Sequence, residues 1–224
     1  MAYILFILLP GLVLGGLASL LTRSTYKRYS RMNAGSGLTG AEAARTLLEQ
    51  NGVHDVTIEE VPGFLSDHYD PRTRTLRLSP AVYHQPSLSA IGVACHEAGH
   101  ALQHVQGYAA LKMRSALVPV TGITNSISMP LIMAGAVFRP LLLIGTMLFA
   151  GAVLFSLVTL PVEWDASARA KKLMVSSGIV SESERNAAGK VLNAAFLTYL
   201  ASTVTAIFTL LYYVTRSGLI GGRR

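Results

Sequence analysis

Residues 95–104 read Cys95-His96-Glu97-Ala98-Gly99-His100-Ala101-Leu102-Gln103-His104, and this stretch fixes a helix, a face of that helix and a chemistry. Positions i and i+4 of an α-helix lie on one face, so His96 and His100 can point at one ion. Glu97 lies about 100° round from His96, beside such an ion instead of on it. The helix is expected from about Ser87 to Gln106, with Gly107 ending it. Its first turns, Leu88 to Val93, are apolar on nearly every side, which predicts burial in a domain or against a membrane.

Outward from that helix, the chain is dominated by apolar runs: Tyr3–Leu21, Ala116–Phe138, Leu141–Leu160 and Val191–Val214. Each is long enough to cross a bilayer. Hydrophobic residues make up 51% of the 224 residues and charged residues 14%. A soluble domain carries about 25% charged residues. Leu17-Ala18-Ser19 faintly resembles a signal-peptide cleavage site, but no basic residue precedes the first run. Arg23, Lys27, Arg28 and Arg31 follow it, which anchors the run with its C-terminal end in the cytoplasm. The net charge of +7 sits beside apolar segments, without the aromatic-interleaved basic stripe of a nucleic-acid binder. The single cysteine, Cys95, excludes a disulfide within the chain and reads as a small buried helix residue rather than a ligand.

Residues 22–115 read as a small α+β domain. Thr39 and Glu42 form a capping box, and Ala43, Leu47 and Leu48 give the helix an apolar stripe that ends at Asn51-Gly52. Val56, Ile58 and Glu60 begin one strand; Thr75–Leu78 form another; Asp70-Pro71 makes a turn between them. Ser79-Pro80 suits a further helix start. The expected fold is a mostly α integral membrane protein, with about four transmembrane helices and a small cytoplasmic α+β domain. Its segments are an anchor (1–21), the domain (22–115), two spans (116–160), a cytoplasmic helix (161–190), a last span (191–215) and a basic tail (216–224).

The pattern His96-Glu97-x-x-His100 is moderately specific for zinc; its bland reading is a helix with two satisfied histidines. The predicted helix and the scarcity of histidine, six in all, favour the metal. Zinc brings the pKa of a bound water toward ~7, and a carboxylate placed like Glu97 can take its proton as general base. A catalytic zinc needs a third protein ligand. His104 continues the i+4 series but lies about 12 Å along the axis from His96, too far to share the ion. It suits a role behind the ligands or on the substrate side. Glu163, just past the third apolar run, is the best third ligand; Asp165 is the alternative, or a residue orienting a ligand histidine. Two crossings separate His100 from Glu163, which returns both to one membrane face. Pro161 is expected to redirect the chain out of the span there. Asp67-His68-Tyr69-Asp70 reads first as turn chemistry, with His68 or Tyr69 also able to serve as a donor to a transition state.

Dispersed segments carry a wider resemblance: Leu38–Glu42, Asp67–Pro71, Val93–His104, Leu160–Ser167, Val191–Ala195 and Thr198-Tyr199. In these the chain resembles the membrane-bound neutral zinc metallopeptidases of the YugP family, found in bacteria and archaea. The resemblance covers nearly the whole chain. It implies a gluzincin-like arrangement, in which a glutamate on a later helix, Glu163, completes the one-zinc site of His96 and His100; it supplies no substrate. The expected activity is that of a zinc metalloendopeptidase in a prokaryotic plasma membrane, multi-pass, with peptide or protein substrates, membrane proteins among the candidates. A metal-binding adaptor without catalysis is the rival class, against which Glu97 argues, since a structural site has no use for that carboxylate. A transporter would need ionisable residues within its spans, and these runs carry essentially none. Oligomeric state has no signal in the sequence.

Overall fold

The structure, a computed structural model, describes residues 3–219. A π-helical turn, Ile4–Leu8, leads into α1 (Leu9–Tyr29). The small domain follows: α2 (Gly40–Gln50), β1 (Thr57–Glu60), β2 (His68–Asp70), β3 (Thr75–Leu78), α3 (Pro80–Tyr83) and α4 (Leu88–Val105). Three long helices complete the chain: α5 (Ala109–Ala134), α6 (Arg139–Ser176) and α7 (Glu182–Ser217).

Local chemistry sets these boundaries. The Thr39 hydroxyl accepts from the Glu42 amide while the Glu42 carboxylate accepts from the Thr39 amide, closing the expected capping box of α2. Ser87 caps α4 by accepting from the Ala90 amide at 3.3 Å. Gly107, at φ +69°, supplies the left-handed conformation that ends the motif helix.

Within the domain, β1 pairs parallel with β3, and β2 pairs antiparallel on the other side, giving the order β1-β3-β2. Strand β2 was not expected, because His68–Asp70 read as turn. The turn exists one step later: Asp70 accepts from the Arg72 amide and the Thr73 hydroxyl, folding β2 back onto β3. Leu47, Leu76, Leu78, Val82, Ile91 and Leu102 are buried between helices and sheet, so α4 is the core helix of the domain.

Among the described residues, four helices are long and apolar enough to cross a membrane, beginning at Leu5, Ala109, Arg139 and Glu182. They pack in a row, with α5 on α6, α6 on α7, and α7 on α1. Pro161 does not redirect the chain. It lies inside α6, which continues to Ser176. A proline removes one backbone donor, and helices tolerate that loss in a span where neighbours hold them straight; α6 has α7, α5 and α4 against it. The 38 residues of α6 reach beyond a hydrocarbon core of ~30 Å, so its last turns project toward the domain. In the same way, the polar stretch before Val191 is the first part of α7 and not a separate element.

Candidate metal centre

Helices α4 and α6 approach so closely that one residue decides the contact. A Cβ on Gly99 would lie 2.8 Å from the carbonyl oxygen of Ala166. Only glycine lets the two backbones meet there. The contact sits between His96 and His100 on α4 and between Glu163 and Ser167 on α6, and it brings the three expected ligands together. His96 Nε2 lies 3.2 Å and His100 Nε2 3.6 Å from Glu163 Oε2. One ligand atom from each residue lies within 4.8 Å of the others, a group able to hold a metal ion.

The surrounding hydrogen bonds suit a cation at that point. Gln103 donates through Nε2 to the Val162 carbonyl at 2.9 Å and to Asp165 Oδ2 at 2.8 Å. A reversed amide would set oxygen against both acceptors, so Gln103 Oε1 is the atom facing His100 Nδ1 at 3.0 Å. His100 Nδ1 therefore carries a hydrogen. A neutral ring then aims the Nε2 lone pair at the Glu163 carboxylate, which is repulsive unless a proton or metal ion lies between. Burial opposes protonation of His100, but its hydrogen bond with Glu163, the charges of Glu97 and Glu163, and Gln103 hold its pKa above the ordinary value. Those same surroundings draw in any cation. His96 Nδ1 meets the Ser167 hydroxyl at 3.1 Å, which likewise leaves Nε2 toward Glu163. Metal-binding histidines are held in this way by a partner on the second ring nitrogen.

The other expected site residues fall around this centre. Glu97 is not in the ligand group. It lines two cavities, of about 410 and 360 Å³, that share it with Asp67, Glu163 and Tyr199. Asp165 does not touch a ligand histidine. Its carboxylate lies beyond Gln103 and also accepts from Arg169, so it reaches His100 through one intervening amide. His104 faces away from the ligands, with Nδ1 2.9 Å from the Tyr69 hydroxyl. Burial, and then the charge of Asp70, push the Tyr69 phenol up to about 12. His68 donates through Nδ1 to the Ser66 carbonyl at 2.8 Å on the rim of the larger cavity. Asp67 accepts from the amide and hydroxyl of Ser79, fixing the start of α3.

Four residues of the centre are not legible as site residues in the sequence: Gln103, Ser167, Arg114 and Tyr199. Gln103 had a usable signal, since it stands i+3 from His100. Arg114 reads only as a basic flank of a span, yet its Nη1 lies 3.5 Å from Glu163 Oε1.

Over residues 3–218 the chain matches, and belongs to, the family described as "Putative neutral zinc metallopeptidase". It is 45% identical over 212 residues, 94% of each chain, to "Putative membrane protease YugP" of Bacillus subtilis (strain 168). No solved structure matches it. The family is a zinc peptidase family, and among the described residues His96, His100 and Glu163 form a group able to hold one ion.

Proposed function

We propose that this member of the neutral zinc metallopeptidases is a membrane-embedded endopeptidase that uses Glu97 as general base and opens its site to the cytoplasmic side of a prokaryotic plasma membrane. The observation that carries this reading is the placement of Glu97 outside the ligand group, where the two cavities flanking that group meet. A structural zinc site is closed by four protein ligands, whereas a catalytic one keeps a position open. Here three ligands face cavities with room for a peptide on each side.

His96, His100 and Glu163 would hold the ion, with Ser167 and Gln103 fixing the two rings. When bound, zinc supplies a Lewis acid for a substrate carbonyl and brings the pKa of a water toward ~7. The Glu97 carboxylate takes the proton of the attacking water and returns it to the departing amine, the general base becoming the general acid. Its side chain has no hydrogen-bond partner among the described residues, so it is free to do both. The Leu65–Asp70 side of the domain and the walls from α5 and α7 enclose the extended peptide.

The test is a comparison of Glu97→Gln with His96→Ala in the purified protein. The first should keep zinc near the wild-type level and lose hydrolysis of a peptide; the second should lose both. Equal zinc loss in the two variants removes Glu97 from the role of base and puts it among the ligands.

A further inference from the structure

Three arginines near the domain are held by acidic or amide partners. Arg77 lies against Glu59 and Asp70, Arg74 against Asp55, and Arg169 against Asp165 and Gln106. Arg114 differs. It stands in the second turn of α5, and its side chain is 29% exposed into the larger cavity beside Glu97, His100 and Tyr199. Its Nε is buried without a hydrogen-bond partner. Its one ionic contact among the described residues, 3.5 Å from Glu163 Oε1, is loose for an arginine–carboxylate pair. The two oxygens of Glu163 are thus divided, Oε2 toward the two imidazoles and Oε1 toward the guanidinium.

We infer that Arg114 is a catalytic residue, a fixed cation that holds the carbonyl oxygen of the scissile bond as negative charge develops on it. The inference rests on the peptidase reading above. A guanidinium one contact away from a metal ligand stands where the carbonyl oxygen of a bound peptide must also come. Its planar fork offers five N–H donors, and the protein satisfies few of them. Carbon–oxygen charge rises as water adds and falls as the amine leaves, so Arg114 binds the transition state more tightly than the ground state. A cation there also prevents Glu163, a ligand, from facing the incoming oxygen with uncompensated charge. Tyr199 lines the same cavity, but a phenol offers a single O–H donor where a guanidinium offers a charged fork.

The experiment uses the full-length, zinc-loaded protein in detergent or nanodiscs, with Arg114→Gln and Arg114→Lys. Three quantities are read: zinc affinity by competition with a chelator, kcat and KM on a peptide, and the affinity of a matched phosphinic peptide, whose anionic oxygens mimic the adduct. For Arg114→Gln, kcat should fall about 100-fold or more, with phosphinate affinity falling in parallel. KM and zinc affinity should change by no more than about three-fold, the signature of an interaction made in the transition state alone. Arg114→Lys, which keeps the charge without the fork, should lie between. A fall in zinc affinity as large as the fall in kcat would overturn the inference and make Arg114 a support for Glu163. A rise in KM at constant kcat would also overturn it, showing an anchor for the substrate's chain end. The phosphinate measurement needs no turnover, so an inactive protein whose phosphinate affinity still depends on Arg114 sinks the peptidase assay and not this assignment.

Discussion

At the scale of single residues, the centre is built as a chain of decided orientations: Arg169 holds Asp165, Asp165 and Val162 hold Gln103, and Gln103 holds His100. This ranks the two acidic residues on α6. Glu163→Ala removes a ligand and should weaken zinc more than any other acidic substitution. Asp165→Ala frees one Gln103 donor, and outer-partner losses of this kind cost about 10–100-fold in affinity or activity. Zinc titration of both purified variants, with folding checked separately, reads the order; Asp165→Ala as the worse of the two would reverse the assignment. His96, His100 and the proposed base Glu97 could be singled out in the sequence because all three sit on one helix, where spacing is geometry. Glu163 was legible from its place just past an apolar run, from the count of spans that returns it to the motif helix's side, and from the family resemblance. Gln103 offered only its i+3 spacing from His100 and Arg114 offered nothing, because their full roles depend on what a different helix brings opposite them.

At the scale of elements, the crossing of α4 and α6 is the joint on which the centre depends. Gly99→Ala places a methyl against the backbone of Ala166, with no flexible side chain to yield. Overpacking of this kind costs about 1–3 kcal/mol, and here it also separates Glu163 from the imidazoles. We expect a lower denaturation midpoint and weaker zinc binding together. Gly151→Ala, on the partner helix α6 with open space at its Cβ, is the control. It should leave zinc affinity unchanged and stabilise the helix slightly. Wild-type zinc affinity and midpoint in Gly99→Ala would mean that the crossing is looser than its contacts imply. Element by element, helices and their caps were readable because capping boxes and left-handed glycines act locally. Strand β2 was not, since its three residues become a strand only by pairing with β3. The continuity of α6 through Pro161 was hidden for a related reason: the helices packed around the proline decide whether it bends the chain.

At the scale of the whole molecule, the two ends of the helix row are chemically different. Tyr3, Arg139, Tyr212, Tyr213 and Arg216 gather at one end around a shared cavity, far along the helices from the metal centre. Trp164 and Phe196 pack together on the other side, near Glu163. Aromatic residues favour both interfaces of a bilayer, so these groups suit the two levels at which the helices leave the hydrocarbon. Positive charge is concentrated at the metal end, in Arg23, Lys27, Arg28, Arg31, Lys112, Arg114, Arg169, Lys171 and Lys172. The opposite end has Arg139 and Arg216, with Arg223 and Arg224 lying outside the described residues. The excess of basic residues faces the cytoplasm in most membrane proteins, so the prediction is a metal centre inside and the opposite end of the helix row outside. Labelling can read this directly. The native thiol gives little background, because Cys95 is fully buried and its burial pushes the pKa up to about 12, so thiolate is scarce at neutral pH. A cysteine at Val137, 95% exposed between α5 and α6, should react with a membrane-impermeant maleimide on intact cells. A cysteine at the exposed Lys172 should react only after the membrane is opened. Labelling of residue 172 but not 137 on intact cells would invert the orientation while leaving the metal centre intact. Labelling of both would break the even count of crossings that brings Glu163 back to His96 and His100.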